Sequence, residues 1–269
     1  MNFGDFLLYY LEILLYTLGL LIVCGLVAEL LRRLFSYLIG NSLGYKAIIA
    51  TAWIGTPVHE IGHALMCIIF GHKIVDMKLY QFDPDSGTLG YVQHSHNPRN
   101  LYQKLGNLFI GMGPIFSGIG VITLVLFLCF PSAFNTFFTQ AFGAVSGGDF
   151  TQALSQAWQL PVNMFTGGEE WWMKLIGFIV IFSVTMHVTL SPADIKNSLG
   201  GLGLYLLLAL AFAGISMIFG VGFVADVREA LQIFALYCGV LYLVFYIFAA
   251  AILLLSLIIF ILKKVLTRR

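Results

Sequence analysis

"GTPVHEIGHALMCIIFG", residues 55–71, sets two histidines and a glutamate inside an otherwise apolar run. Ionisable groups are costly in apolar surroundings unless they are partnered or bind a metal. The rest of the chain makes those surroundings more apolar still. Of its 269 residues 59% are hydrophobic and only 10% are charged, against about 25% in a soluble domain. No Asp, Glu, Lys or Arg occurs in residues 13–28, 105–148, 175–193, 197–225 or 230–262. A membrane helix needs about 20 mostly apolar residues, so this pattern predicts one multi-pass integral membrane domain over residues 1–269, embedded in a lipid bilayer.

The net charge of +1 offers no basic footprint for nucleic acid. Cys24, Cys67, Cys129 and Cys238 stand singly in apolar runs without a C-x-x-C pair, and read as small hydrophobes in packed helices. The first apolar run follows Asp5 and has no basic lead-in, so it reads as a retained helix rather than a cleaved signal.

The expected fold is all-α with about six transmembrane helices. They cover roughly residues 6–31, 47–70, 105–130, 171–190, 202–224 and 231–262. Between the second and third lies a polar segment in which "KIVDMKLYQF" (73–82) alternates, "DPDSG" (83–87) supplies turn chemistry and "TLGYVQH" (88–94) resumes a strand pattern. A β-hairpin within 72–100 follows, and its edge can take up an extended peptide as an added strand. Residues 131–170 are rich in Ser, Thr, Gly and Phe and read as an interfacial or re-entrant loop. The basic end "KKVLTRR" (263–269) points to the cytosol by the positive-inside rule. Counting back, the hairpin with Lys73, Lys78, Arg99 and Lys104 is cytosolic, and 131–170, which has acidic residues but no Lys or Arg, is outside. Arg32 and Arg33 then fall on the outer side, against the rule.

His59, Glu60 and His63 form H-E-x-x-H. On a helix, positions i and i+4 share a face, so both imidazoles can ligate one zinc ion. Glu60 can then act as general base on a water activated by that ion, and return the proton to a leaving amine. Ionisable residues within a membrane span usually mark function. The competing reading is a buried His–Glu–His hydrogen-bond cluster, such as part of a proton path. A catalytic zinc usually has three protein ligands and an open position. Asp194 lies on the predicted cytosolic side and is the favoured third ligand. His187 lies two turns before it. Cys67 continues the His59–His63 face, but three ligands on one straight helix fit a tetrahedron poorly. His72, His94 and His96 belong to the polar segment, where solvated histidines are the ordinary expectation.

The chain resembles the site-2 proteases, intramembrane zinc metalloproteases. The resemblance covers roughly residues 47–200 and rests on three stretches in the family's order. "HEIGHA" (59–64) comes first, followed by a β-rich segment. "NPRNLYQKLGNLFIGMGPIFSG" (97–118) looks like the stretch leading into the family's Gly-Pro-x-x-Asn motif, matched by Gly113 and Pro114. "SPADI" (191–195) looks like the family's Pro-x-Asp-Gly segment, matched by Pro192 and Asp194. The resemblance implies Asp194 as the third zinc ligand. Ser117 stands where the family has Asn, Ile195 replaces Gly, and His187 lies near the place of an upstream Asn. In the family these polar groups hold the substrate backbone, so Gly113, Pro114, Ser117 and His187 are the substrate-binding positions implied. The implied activity is hydrolysis of a peptide bond in or near the membrane-spanning part of a membrane-anchored protein or peptide, in the cell membrane, with the active site toward the cytosol. The alternative is a non-hydrolytic metal-binding transporter or regulatory scaffold. The absence of a convincing internal repeat counts against a transporter.

Overall fold

The computed structural model describes residues 3–81 and 89–267; the "DPDSG" turn lies outside them. Nine α-helices and one two-stranded sheet make up the described residues. Helix α1 (Phe3–Leu14) passes through a π-helical stretch (Leu15–Gly19) into α2 (Leu20–Leu43), and α3 (Tyr45–Ile69) follows Gly44. Strands β1 (Lys73–Lys78) and β2 (Tyr91–Ser95) precede α4 (Leu101–Cys129). Then come α5 (Pro131–Ser146), α6 (Phe150–Thr166), α7 (Trp171–His187), α8 (Pro192–Ile218) and α9 (Val221–Leu266).

Four helical stretches among the described residues are long and apolar enough to cross a membrane: Phe3–Leu43, Leu101–Cys129, Pro192–Ile218 and Val221–Leu266. Their outward side chains suit lipid, since Val23, Leu30, Leu128, Ile218 and Leu254 are all exposed. The other two expected spans are α3 and α7. Helix α3 has the length, but His59, Glu60 and His63 lower its hydropathy. Helix α7 is apolar but has only 17 residues, about 25 Å at 1.5 Å per residue.

Several boundaries differ from the sequence reading. The first span does not stop at Leu31, because Arg32 and Arg33 are not flanking loop residues. Both donate to the buried Glu29 at 2.7–2.8 Å, and Thr189 Oγ1 donates to it from beyond α7. Paired in this way, the arginines continue the helix to Leu43. The fifth span begins ten residues early, at Pro192, and ends at Ile218, because Gly220 with φ 95° terminates it. The expected loop at 131–170 is two helices. Pro131 opens α5, and the Asp149 carboxylate caps α6 by accepting from Gln152 N at 2.9 Å. Ala141, Ala153 and Ala157, all fully buried, let the two helices pack closely.

The main core joins α2, α4, α5, α6, α7 and α9 around Phe35, Phe130, Phe137 and Phe248. Helix α4 is its central element. Against it, α3 packs backbone on backbone: a Cβ on Gly62 would lie 2.5 Å from the Gly113 carbonyl oxygen and from Ser117 Oγ. The hairpin is antiparallel, as expected, with a bulge between Ile74 and Asp76. Tyr91 Oη donates to Asp76 Oδ2 across it at 2.6 Å. Its ends are fastened to α4 by Gln103, whose side chain donates to Gly71 O and accepts from Asn97 N, both at 2.7 Å.

Gly62→Val is expected to destabilise the protein by about 1–3 kcal/mol through overpacking, read as a lower thermal midpoint in detergent. Gly120→Ala, where an added Cβ meets nothing within 4 Å and helix propensity favours alanine, should not lower that midpoint.

Candidate functional site

His59 and His63 lie one turn apart on α3, with their Nε2 atoms 3.1 Å from each other. Asp194, from the first turn of α8, closes the set: Oδ1 is 3.0 Å from His63 Nε2 and Oδ2 is 3.5 Å from His59 Nε2. All three ligand atoms fall within 4.8 Å of one another. Lone pairs on two imidazoles and a carboxylate repel at such distances unless a proton or a cation lies between them. A tetrahedral zinc with Zn–N bonds of about 2.0–2.1 Å spaces its ligand atoms about 3.3 Å apart, and the three observed separations bracket that value. The donor set, two imidazoles and one carboxylate, therefore fits zinc in both chemistry and spacing.

Local chemistry accounts for each placement. "SPAD" builds a capping box at the start of α8: Asp194 N donates to Ser191 Oγ at 3.2 Å, and Ser191 N donates to Asp194 Oδ2 at 2.7 Å. That reciprocal pair fixes the carboxylate at the helix entrance. The entrance itself is pressed onto α4, where a Cβ on Gly111 would lie 2.5 Å from the Asp194 carbonyl oxygen.

His63 is oriented from α4. Its Nδ1–H donates to the Ile110 carbonyl at 2.7 Å, which leaves Nε2 as the ligating atom. That carbonyl is available because residue 114 is proline. Pro114 has no N–H to offer the carbonyl four residues earlier in the helix, and the imidazole takes the vacant acceptor. His59 Nδ1, by contrast, is buried without a partner among the described residues.

Glu60 is buried beside the two histidines and shares with them a cleft of about 390 Å³, lined also by Tyr91, His94 and Asp194. Gly90, at the entry to β2, lies against it: a Cβ there would be 2.9 Å from Glu60 Cγ. The hairpin thus forms one wall of the cleft. His94 on that wall is held down at about 4, chiefly by burial, with His72, His96 and His63 nearby disfavouring a further positive charge.

The remaining candidates are placed elsewhere. His187 Nε2 lies 3.0 Å from Thr51 Oγ1, and its ring meets Phe35 edge to face. It is not among the converging ligand atoms. Cys67 is fully buried and also outside them. Ser117 Oγ donates to Val58 O at 2.8 Å and to Pro114 O at 3.0 Å, tying α4 to α3. With Gly113 it lines a separate apolar groove of about 340 Å³ between those helices. Pro114 acts through the carbonyl it frees. Sequence reasoning passed over two things. The S-x-x-D capping signal at Ser191 was present and would have placed Asp194 in a first helical turn. His72, His94 and His96, read as solvated, converge instead; His94 and His96 lie two apart along an extended segment, the spacing that shares a face.

Matched against protein-family models, characterised proteins and solved structures, the chain finds no counterpart in any of them.

Pro114→Ala restores an N–H that competes with His63 for the Ile110 carbonyl. For zinc held by the His59–His63–Asp194 cluster, affinity is expected to fall about 10- to 100-fold, the usual effect of losing the hydrogen-bond partner of a ligating histidine, with helical content unchanged. A competition titration against a chromophoric chelator measures it, and unchanged affinity would show that the carbonyl serves both donors.

Proposed function

We propose that this protein is an intramembrane zinc metalloendopeptidase that hydrolyses a peptide bond in or near the membrane-spanning part of a membrane-anchored protein or peptide. The observation that carries this reading is the convergence of His59 Nε2, His63 Nε2 and the Asp194 carboxylate, with Glu60 beside them in the same cleft. A purely structural or transported metal has no use for a buried carboxylate that stands next to the ligand cluster without belonging to it. The sequence resemblance to the site-2 proteases supports the same reading.

When bound, zinc supplies Lewis acidity, making a water acidic near neutral pH and polarising a carbonyl. The chain's own groups do the rest. Glu60 takes a proton from the attacking water on a carboxylate oxygen and delivers it to the amine nitrogen that leaves. Asp194, fixed by its capping box, and His63, fixed by Ile110, hold the ligand geometry with little reorganisation. Tyr91 and Val92 of β2 line the cleft, so an extended substrate segment runs along β2 and borrows its backbone groups, as in strand addition. Such unwinding exposes an amide that a helical substrate keeps shielded. In the membrane, α3 and α7 complete six spans with the four longer stretches. The hairpin and cleft face the cytosol, on the side of Lys73, Lys78, Arg99 and Lys104.

Glu60→Gln is expected to lower cleavage of a membrane-anchored reporter by about 10²- to 10⁴-fold, the usual worth of a positioned acid–base, while zinc stays bound. His59→Ala and Asp194→Ala should each lose the zinc, read by elemental analysis of protein purified without chelators. Cleavage retained in Glu60→Gln would end that assignment.

A further inference from the structure

A second group of nitrogen ligands adjoins the cleft. One ring nitrogen from each of His72, His94 and His96 lies within 4.8 Å of the other two. His72 Nδ1 and His94 Nδ1 are 3.0 Å apart, and the His72 and His96 rings stack with centroids 4.9 Å apart. These three come from separate parts of the chain: the turn after α3, strand β2, and the segment leading to α4.

The outer contacts are those of metal-binding imidazoles. His72 Nε2–H donates to the Gln103 carbonyl at 2.7 Å, which fixes the tautomer and leaves its Nδ1 lone pair aimed at His94. The Asn107 amide nitrogen Nδ2 lies 3.2 Å from His96 Nε2; ligation through Nδ1 would put an N–H on Nε2, which the same amide accepts through its oxygen once it turns by 180°. Ligating histidines almost always have such a partner on the other nitrogen.

We propose that His72, His94 and His96 form a second metal site, an all-imidazole site for a divalent first-row transition ion, zinc foremost. Imidazole sets suit zinc, copper and nickel rather than magnesium or calcium. The ion joins the end of α3, β2 and the approach to α4 at one point. Because Tyr91, Val92 and His94 line the catalytic cleft, it sets the position of that wall. The site does not depend on how the His59–His63–Asp194 cluster is read, and its test removes that cluster.

The test uses the full chain carrying His59→Ala and His63→Ala, purified without chelators, loaded with Zn²⁺ and dialysed. Elemental analysis should find about one zinc per chain, the occupancy of a single site, falling to background when His94→Asn is added. Circular dichroism certifies that each variant is folded. Unmutated protein should hold one zinc more than the single variant His94→Asn, a comparison that stands even if the double variant fails to fold. Co²⁺ in place of Zn²⁺ should give visible absorption bands that vanish with His94→Asn. The proposal is overturned if the folded double variant holds no zinc, or if zinc and the cobalt bands persist unchanged after His94→Asn. In the first case the three histidines are only a hydrogen-bonded and stacked cluster. Loss of zinc from the His59–His63 pair alone speaks to the protease reading and leaves this one standing.

Discussion

The hydrogen bond from His63 Nδ1 to the Ile110 carbonyl ties the candidate metal cluster to the fold. It exists because Pro114 withholds the donor that would otherwise occupy that carbonyl. It also requires α3 to lie directly on α4, which the facing Gly62 and Gly113 backbones allow. Helix α8 meets α4 through Gly111 on the same stretch, and its capping box delivers Asp194. Helix α4 is thus the platform on which one ligand is oriented and another is brought into range.

The same economy governs charge elsewhere in the apolar interior. Glu29 is buried, yet two arginines on its own helix and Thr189 saturate its oxygens. Arg228 reaches Glu12 at 2.6 Å between α9 and α1 and lies over the Tyr9 ring. Each of these carboxylates is paired with protein partners, as ionisable groups in membrane helices generally are. Glu60 differs in facing a cleft, with backbone rather than a cation packed on its side chain. That contrast is the physical basis for giving it a chemical role and giving Glu29 a structural one.

The hairpin forms a wall of the cleft that holds these residues. Its bulge and the Tyr91–Asp76 bond shape one wall of the cleft, while Gln103 fastens its ends to α4. The histidine triad sits where these attachments meet. The hairpin and its two attachments therefore carry both the cleft wall and the histidine cluster.

Much of the helical layout was legible from the sequence, because apolar runs of twenty or more residues leave few other folds open in a membrane. H-E-x-x-H was legible for a related reason: i and i+4 share a face in any helix, so His59 and His63 converge whatever surrounds them. The antiparallel hairpin also followed from local alternation. Boundaries were less legible. Arg32 and Arg33 read as a flank because nothing local shows that both pair with the buried Glu29, and 131–170 read as a loop because its Ser, Thr and Gly content masks two helices that bury Phe137, Leu160 and Met164. Asp194 was already favoured over His187 in the sequence, but only the tertiary structure brings its carboxylate to His59 and His63, since that depends on where α8 docks on α4. It alone assembled His72, His94 and His96, and revealed that Pro114 serves His63 across a helix contact. These are pairings between residues far apart in the chain, and a sequence carries no local signal for a distance set by two backbones meeting at glycine.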